Sequence, residues 1–399
     1  MKIAIICDVL GKGNNGTAVV TQNLYEHLKE GGHNVTIICA DQSKKDAEGY
    51  FVLPTVKLGK VLDAYVDSVG VCLAKCDKKV MDRVLCGVDY IHCIMPFALG
   101  RYAAGYARRH NIPISAGFHL QAENITSYLK LNRLSFLQKL VYKFLYRSFY
   151  SKMDAIHYPT QFIKDTFENA IGKTTNGYVI SNGVNGFVTR RTVEKPREYA
   201  DKIVIGNVGR YSREKSQDTL IKAVKYSKYA DRIQLILAGQ GNKEKYYKRL
   251  AKNLPVMPKF GALSREGVVD MLNYCDIYAH TAEIELEGIA CLEAIKCGKL
   301  TIVSDSKLSA TAGFAADERC IFKNRNPKSL AKTIDFWIEN ADERRVLEQA
   351  YLNSGTAEYT KECMLDMDIM IESVIRARRL LDGIAEQPSV CEVGSLMYR

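Results

Sequence analysis

Short apolar runs recur along the chain, separated by polar stretches of helical periodicity. The first half carries KIAIICDV, NVTIICA, DYIHCIM, IPISAGF and AIHYPT; the second carries KIVIGNVG, RIQLILAGQG, PKFGALS, DIYAHT, KLTIVSD and RCIFKN. Strands alternating with helices predict parallel, doubly wound α/β sheets, one in each half. The segment TRRTVEKPREYADK is charged and lacks apolar periodicity, so it reads as a surface loop. The domain change is placed slightly before it, near Gly172–Tyr178, giving domains over 1–175 and 176–372. Residues 361–382 predict a long amphipathic helix. After Glu386 no periodicity remains, and 387–399 reads as a mobile tail.

Two constellations of charge fall at predicted strand ends, where open α/β sheets bind ligands. After CDIYAHT, a loop carries Glu285, and LEAIKCG then reads as a short helix closed by glycine, with Glu293 at or just inside it. Paired carboxylates accept hydrogen bonds from neighbouring hydroxyls, as a sugar presents them. After IVIGNVG, Arg210 and Lys215 stand five residues apart at a helix entrance. Cations beside free helix N–H groups suit phosphate. Together the two sets fit a nucleotide-sugar.

The GR-x4-K spacing of Arg210 and Lys215 and the E-x7-E spacing of Glu285 and Glu293 resemble those of the retaining family-4 glycosyltransferases of the GT-B fold. Further similarity lies in NNGTAVVTQNLYEHLKEGGHNVTIICA, in PISAGFHLQAENI with its His119, and in VISNGVN. Within that family, MPFALGRYAAGYARRHNIPISAGFHLQAENI is most similar to bacterial enzymes that glycosylate diacylglycerol or ceramide. The resemblance implies two Rossmann-like domains facing a cleft, with a helix near 373–386 crossing back to the first. It implies transfer of a hexose from a UDP-sugar to a lipid hydroxyl with retained configuration, without metal or resident cofactor. A saccharide acceptor is the alternative.

By the same resemblance, Glu285 would hold the donor sugar and steady its developing positive charge, and Glu293 would bind ribose. Arg210 and Lys215 would neutralise the leaving diphosphate. His119 would contact the sugar or its phosphate, and Gly16, Gly288 and Ile289 would border the donor. Glu123 and Asn124 are expected as acceptor contacts, and Asn182 and Gly183 near the cleft. Glu283 and Glu287 crowd the same loop as Glu285, and Glu287 stands where the family often has an apolar residue. The pocket is therefore expected to be unusually acidic.

Other readings remain open. Glu285 and Glu293 could be a solvated loop carboxylate and an ordinary helix-start residue, or the acid/base pair of a hydrolase. GKGNNG, Gly11 to Gly16, matches a dinucleotide fingerprint, with Asp41 ending the second strand. That reading leaves both charge constellations unexplained. A non-catalytic nucleotide-sugar-binding or membrane-docking protein is the alternative of another class.

Charge sharpens the choice of partner. Of a formal net +11, residues 1–175 contribute +7, with 22 Lys and Arg against 15 Asp and Glu. In residues 130–152, Leu131, Leu134, Leu137, Val141, Phe144 and Leu145 recur at helical spacing beside Lys139, Lys143 and Arg147. This is either a helix packing on the sheet or one whose basic side meets an anionic membrane surface. Residues 57–83 form a second such candidate. No nucleic-acid partner is expected. The twelve cysteines lack C-x-x-C pairs, which suits a reducing cytoplasm rather than zinc or disulfides. MKIAIICDVL reads as a strand rather than a signal peptide, and no apolar run approaches the ~20 residues of a spanning helix. The expected location is cytoplasmic, peripheral on the inner membrane face.

Overall fold

The computed structural model describes residues 1–10, 16–56, 59, 73–123 and 135–381. Strands β1 (Lys2–Ile6), β2 (Asn34–Cys39), β3 (Tyr50–Val52), β4 (Tyr90–Cys93), β5 (Ile114–Gly117), β6 (Ala155–Tyr158) and β7 (Gly177–Val179) build the first sheet. Its order is β3-β2-β1-β4-β5-β6-β7, and all its pairings are parallel. β4 and β5 are buried at every position, because helices cover both faces and no residue is left for solvent. Those helices include α1 (Gly16–Glu30), α2 (Lys78–Leu85), α3 (Ala98–His110), α4 (Ser135–Ser148) and α5 (Gln161–Ile171).

The second sheet repeats the plan. β8 (Ile203–Val208), β9 (Ile233–Ala238), β10 (Lys259–Gly261), β11 (Ile277–His280), β13 (Thr301–Ser304) and β15 (Ile321–Phe322) run parallel in the order β10-β9-β8-β11-β13-β15. The short strands β12 (Ile284–Glu285) and β14 (Leu308–Ser309) pair separately. Helices α6 (Gln217–Tyr226), α7 (Glu244–Ala251), α8 (Arg265–Tyr274), α9 (Ile289–Lys296), α10 (Pro327–Glu339) and α11 (Ala341–Asn353) belong to this half. The fold is GT-B: two Rossmann-like, doubly wound domains facing a cleft. In each sheet the strand order reverses once, between β1 and β4 and between β8 and β11, which places a crevice at those strands' carboxyl ends.

The last helix, α12 (Thr360–Leu381), leaves the second domain and closes the first. Its Cys363, Met364, Met367, Met370, Ile371 and Val374 pack with Ile3, Leu24 and Tyr90. Arg378 pairs with Asp154, and His27 lies 2.7 Å from Asp368. The turn back is tight. Gly183 has φ +72, and a Cβ there would sit 2.5 Å from the Thr360 backbone, so only glycine lets the segments pass.

Three features differ from expectation or lie outside it. β3, β7, β12 and β14 have no counterpart among the predicted strands; each has two or three residues, too few to show a period, and Glu285, expected in a loop, lies in β12. Phe144, which the reading of α4 as a helix packed on the sheet would bury, is 56% exposed. Gly11–Asn15, Asn124, Leu131 and Leu134, most of the 57–83 candidate, the end of the 373–386 helix and the tail beyond Glu386 fall outside the described residues.

Candidate active site in the interdomain cleft

A cavity of about 420 Å³ lies between the domains. The first domain contributes Gly16 and Thr17 from the start of α1, His119 after β5 and Pro159 after β6. The second contributes Gly209, Arg210 and Lys215 after β8, and Glu285, Gly288 and Ile289 after β11. The two crevices thus open on one space.

Lys215 and Glu285 are ion-paired, and Nε2 of His280 lies 3.2 Å from the same carboxylate. Burial would raise the Glu285 carboxyl, but Lys215 and His280 outweigh it and hold it down to about 2. Thr281 Oγ1 donates to the Lys215 carbonyl at 2.9 Å, fixing the loop that carries the lysine. Arg210 is freer: its side chain is half exposed, 3.5 Å from Glu214. Gly288 caps α9 in the left-handed region with no side-chain cap. The first N–H groups of α9, at Ile289 and Ala290, therefore have no acceptor within the helix and stand at the cavity wall. Cations and free N–H groups make this wall an anion site, and Glu285 beside them is an acceptor for hydroxyls. Gly16 leaves the first-domain wall open, since a Cβ there would meet nothing within 4 Å.

His119 lines the cavity with its imidazole packed over Gly117, where a Cβ would fall 2.3 Å from Nε2. Burial, with His157 and His92 nearby, pushes its pKa well below the usual histidine value. The ring is therefore neutral, and its buried Nε2 has no hydrogen-bond partner among the described residues.

Glu293 sits one turn into α9 and is not on the cavity wall. Burial raises its carboxyl to about 7, with Arg265 opposing. Glu123 does not line the cavity either. It is buried and accepts from the Tyr142 hydroxyl at 2.5 Å. Glu283 pairs with Arg325 outside the cleft.

Glu287 does not simply acidify the pocket. Its carboxylate accepts from Ser181 Oγ at 2.6 Å, from the Asn182 N–H at 2.9 Å and from Asn182 Nδ2 at 2.5 Å. It thereby ties the loop that carries Glu285 to the segment joining the domains, and Asn182 lines the cavity from there. Burial raises this carboxyl to about 7 against the pull of those donors. Neither this clasp nor His280 was assigned a role from sequence. The position of His280, ending β11 five residues before Glu285, was the available signal.

On α4, Phe136, Leu140 and Phe144 are 67, 45 and 56% exposed, and Lys139, Lys143 and Arg147 are exposed beside them. Among the described residues no helix is long and apolar enough to cross a membrane, and no group of three potential metal ligands occurs.

Two family models match in tandem: Glycosyltransferase Family 4 over residues 14–185 and Glycosyl transferases group 1 over residues 176–352. The chain is 26% identical over 311 residues to a GDP-mannose-dependent alpha-mannosyltransferase of Corynebacterium glutamicum, covering 76% of this chain and 72% of that one. It is also 26% identical, over 205 residues, to a GDP-mannose-dependent alpha-(1-6)-phosphatidylinositol dimannoside mannosyltransferase of Mycobacterium tuberculosis (48% of this chain, 51% of the other). Among solved structures, Anabaena HepE in complex with UDP-glucose superposes with a TM-score of 0.71 at 17% identity, covering 94% of this chain and all of the other. The catalytic domain of cholesterol-alpha-glucosyltransferase from Helicobacter pylori is 45% identical over 38% of this chain and 97% of that one, with a TM-score of 0.36.

Proposed function

This chain is a glycosyltransferase of the GT-B fold, and on that premise we propose that it moves a hexose from a UDP-sugar to a lipid hydroxyl at a membrane face, retaining the anomeric configuration. The observation that carries the reading is the meeting of Arg210, Lys215, Glu285 and the α9 N-terminus on one wall of the cleft. The donor diphosphate lies against the cations and the free N–H groups, and the sugar lies toward Glu285 and His119. On donor binding Lys215 turns from Glu285 to the phosphate, and the freed carboxylate meets sugar hydroxyls. The acceptor oxygen attacks the anomeric carbon, the bond from that carbon to the phosphate oxygen breaks, and the acceptor's proton passes to the leaving phosphate. Preorganised positive charge at the departing diphosphate is the main catalytic contribution. Glu293, one turn into α9 and off the cavity wall, is the residue that the resemblance assigns to the ribose.

The lipid acceptor rests on α4, whose apolar stripe flanked by a basic row suits the boundary of an anionic bilayer. The phosphatidylinositol dimannoside relative acts on a lipid, which supports the same reading. HepE with UDP-glucose favours UDP as the carrier, whereas both mannosyltransferase relatives use GDP-mannose. The test is purified protein with a panel of UDP-hexoses and GDP-mannose, against a bacterial lipid extract and a soluble oligosaccharide, with products read by mass. A hexosylated lipid formed from a UDP-sugar is expected. Products from GDP-mannose alone overturn the donor, products on oligosaccharide alone overturn the acceptor, and no nucleotide release from any combination overturns catalysis.

A further inference from the structure

A second cavity, of about 490 Å³, opens on the second domain, and none of the residues lining it lines the cleft. It lies where α6, α7 and α10 begin, and Ser216, Lys243 and Pro327 from those three starts are on its wall. Four cations line it: Arg213, Lys222, Lys243 and Arg325. Lys222 is neutralised by Asp218 at 2.7 Å and Arg325 by Glu283. Arg213 and Lys243 have no ion-pair partner among the described residues, so the wall carries an excess of two positive charges. The N-terminal ends of α6 and α7 add to it, since neither has a side-chain cap. Tyr246 presents an exposed ring at the same wall, with Lys243 5.9 Å from its centroid.

We propose that this cavity binds a small phosphate monoester, the phosphate between Arg213 and Lys243 and the organic part against Tyr246. A phosphate monoester carries close to two negative charges at neutral pH, which matches the two unpaired cations. The cavity is too large for inorganic phosphate alone and has room for a hexose-sized group. The site is wired to the cleft. Arg213 stands between Arg210 and Lys215 in one loop, and Arg325 holds Glu283, two residues before Glu285. The Glu283 N–H donates to the Glu214 carbonyl at 2.7 Å, joining the two loops. Occupancy therefore alters the loops that hold the donor, and the ester is an effector of the transfer. This regulatory part rests on the proposed function; the binding part does not.

Titration calorimetry of the full chain with glucose 6-phosphate, inorganic phosphate and UDP separates the two. Saturable binding of glucose 6-phosphate is expected, at least tenfold tighter than inorganic phosphate and undiminished by saturating UDP. Lys222→Ala with Lys243→Ala should weaken it tenfold or more while UDP affinity holds; neither residue touches the cleft. Tyr246→Glu, at an exposed ring, should do the same and serves if the double variant does not fold. Binding abolished by UDP, or unchanged in both variants, overturns the site. Binding intact with the rate of hexose transfer unmoved by the ester overturns the effector role alone. If no transfer is found with any donor, the proposed function fails and the binding result stands.

Discussion

Glu285 is a carboxylate that burial would protonate and that Lys215 keeps charged. Glu285→Gln should therefore abolish transfer while UDP affinity, measured by calorimetry, stays near that of the parent, because the role proposed for the residue is at the sugar. Lost UDP affinity with retained turnover would contradict the assignment. The two cations should differ in stability but not in catalysis. Arg210→Ala and Lys215→Ala should each lower turnover by ~10²-fold or more. Lys215→Ala also strands a mostly buried carboxylate and should cost on the order of 1–3 kcal/mol in a denaturant melt. Arg210, half exposed, should cost little. Glu287 makes a pH statement. Its carboxyl stands at about 7 in the folded chain, above its ordinary value of 4.5. The folded state thus holds this proton more tightly than the unfolded one. The contribution is full below pH 4.5 and is lost as pH rises through about 7. In melting experiments across that window, Glu287→Gln should flatten the decline; an unchanged slope would remove Glu287 as its source.

At the scale of the element, α4 shows what periodicity conveys and what it leaves out. Spacing identified the helix and its basic row, but not which apolar residues face solvent. Leu145 is buried while Phe144, its neighbour, is exposed with Phe136 and Leu140. The exposed stripe and the row of Lys139, Lys143 and Arg147 together form the proposed membrane face. Each basic residue near an anionic surface adds about 1 kcal/mol, so three give reversible attachment that salt weakens. Changing all three to Glu should release the protein from anionic liposomes in a flotation assay. Turnover on a short-chain soluble acceptor should survive, since none of the three lines the cleft. A wild-type protein that ignores anionic liposomes at low salt would refute the membrane face.

At the scale of the molecule, α12 makes the first domain depend on the end of the chain. Met370 is fully buried between α12 and the first sheet. Met370→Ala should cost about 2–5 kcal/mol, read as an earlier denaturant midpoint for the first domain. A change within 0.5 kcal/mol would mean that the helix is not part of that core. The sheets themselves were legible in the chain, because strands buried on both faces are mostly apolar, and IYAH or ILA announces itself without a partner. So were Arg210, Lys215, Glu285 and His119, which sit where strands end and ligands meet α/β sheets. What only the tertiary structure decided is how polar atoms pair. Lys215 reaches Glu285 across 70 residues and Ser181 reaches Glu287 across 106. Glu123 turns to Tyr142 instead of the cleft. A charged residue's type restricts its possible partners but does not choose among them; that choice follows from which segments the packed core brings within 3 Å, and no local pattern records it.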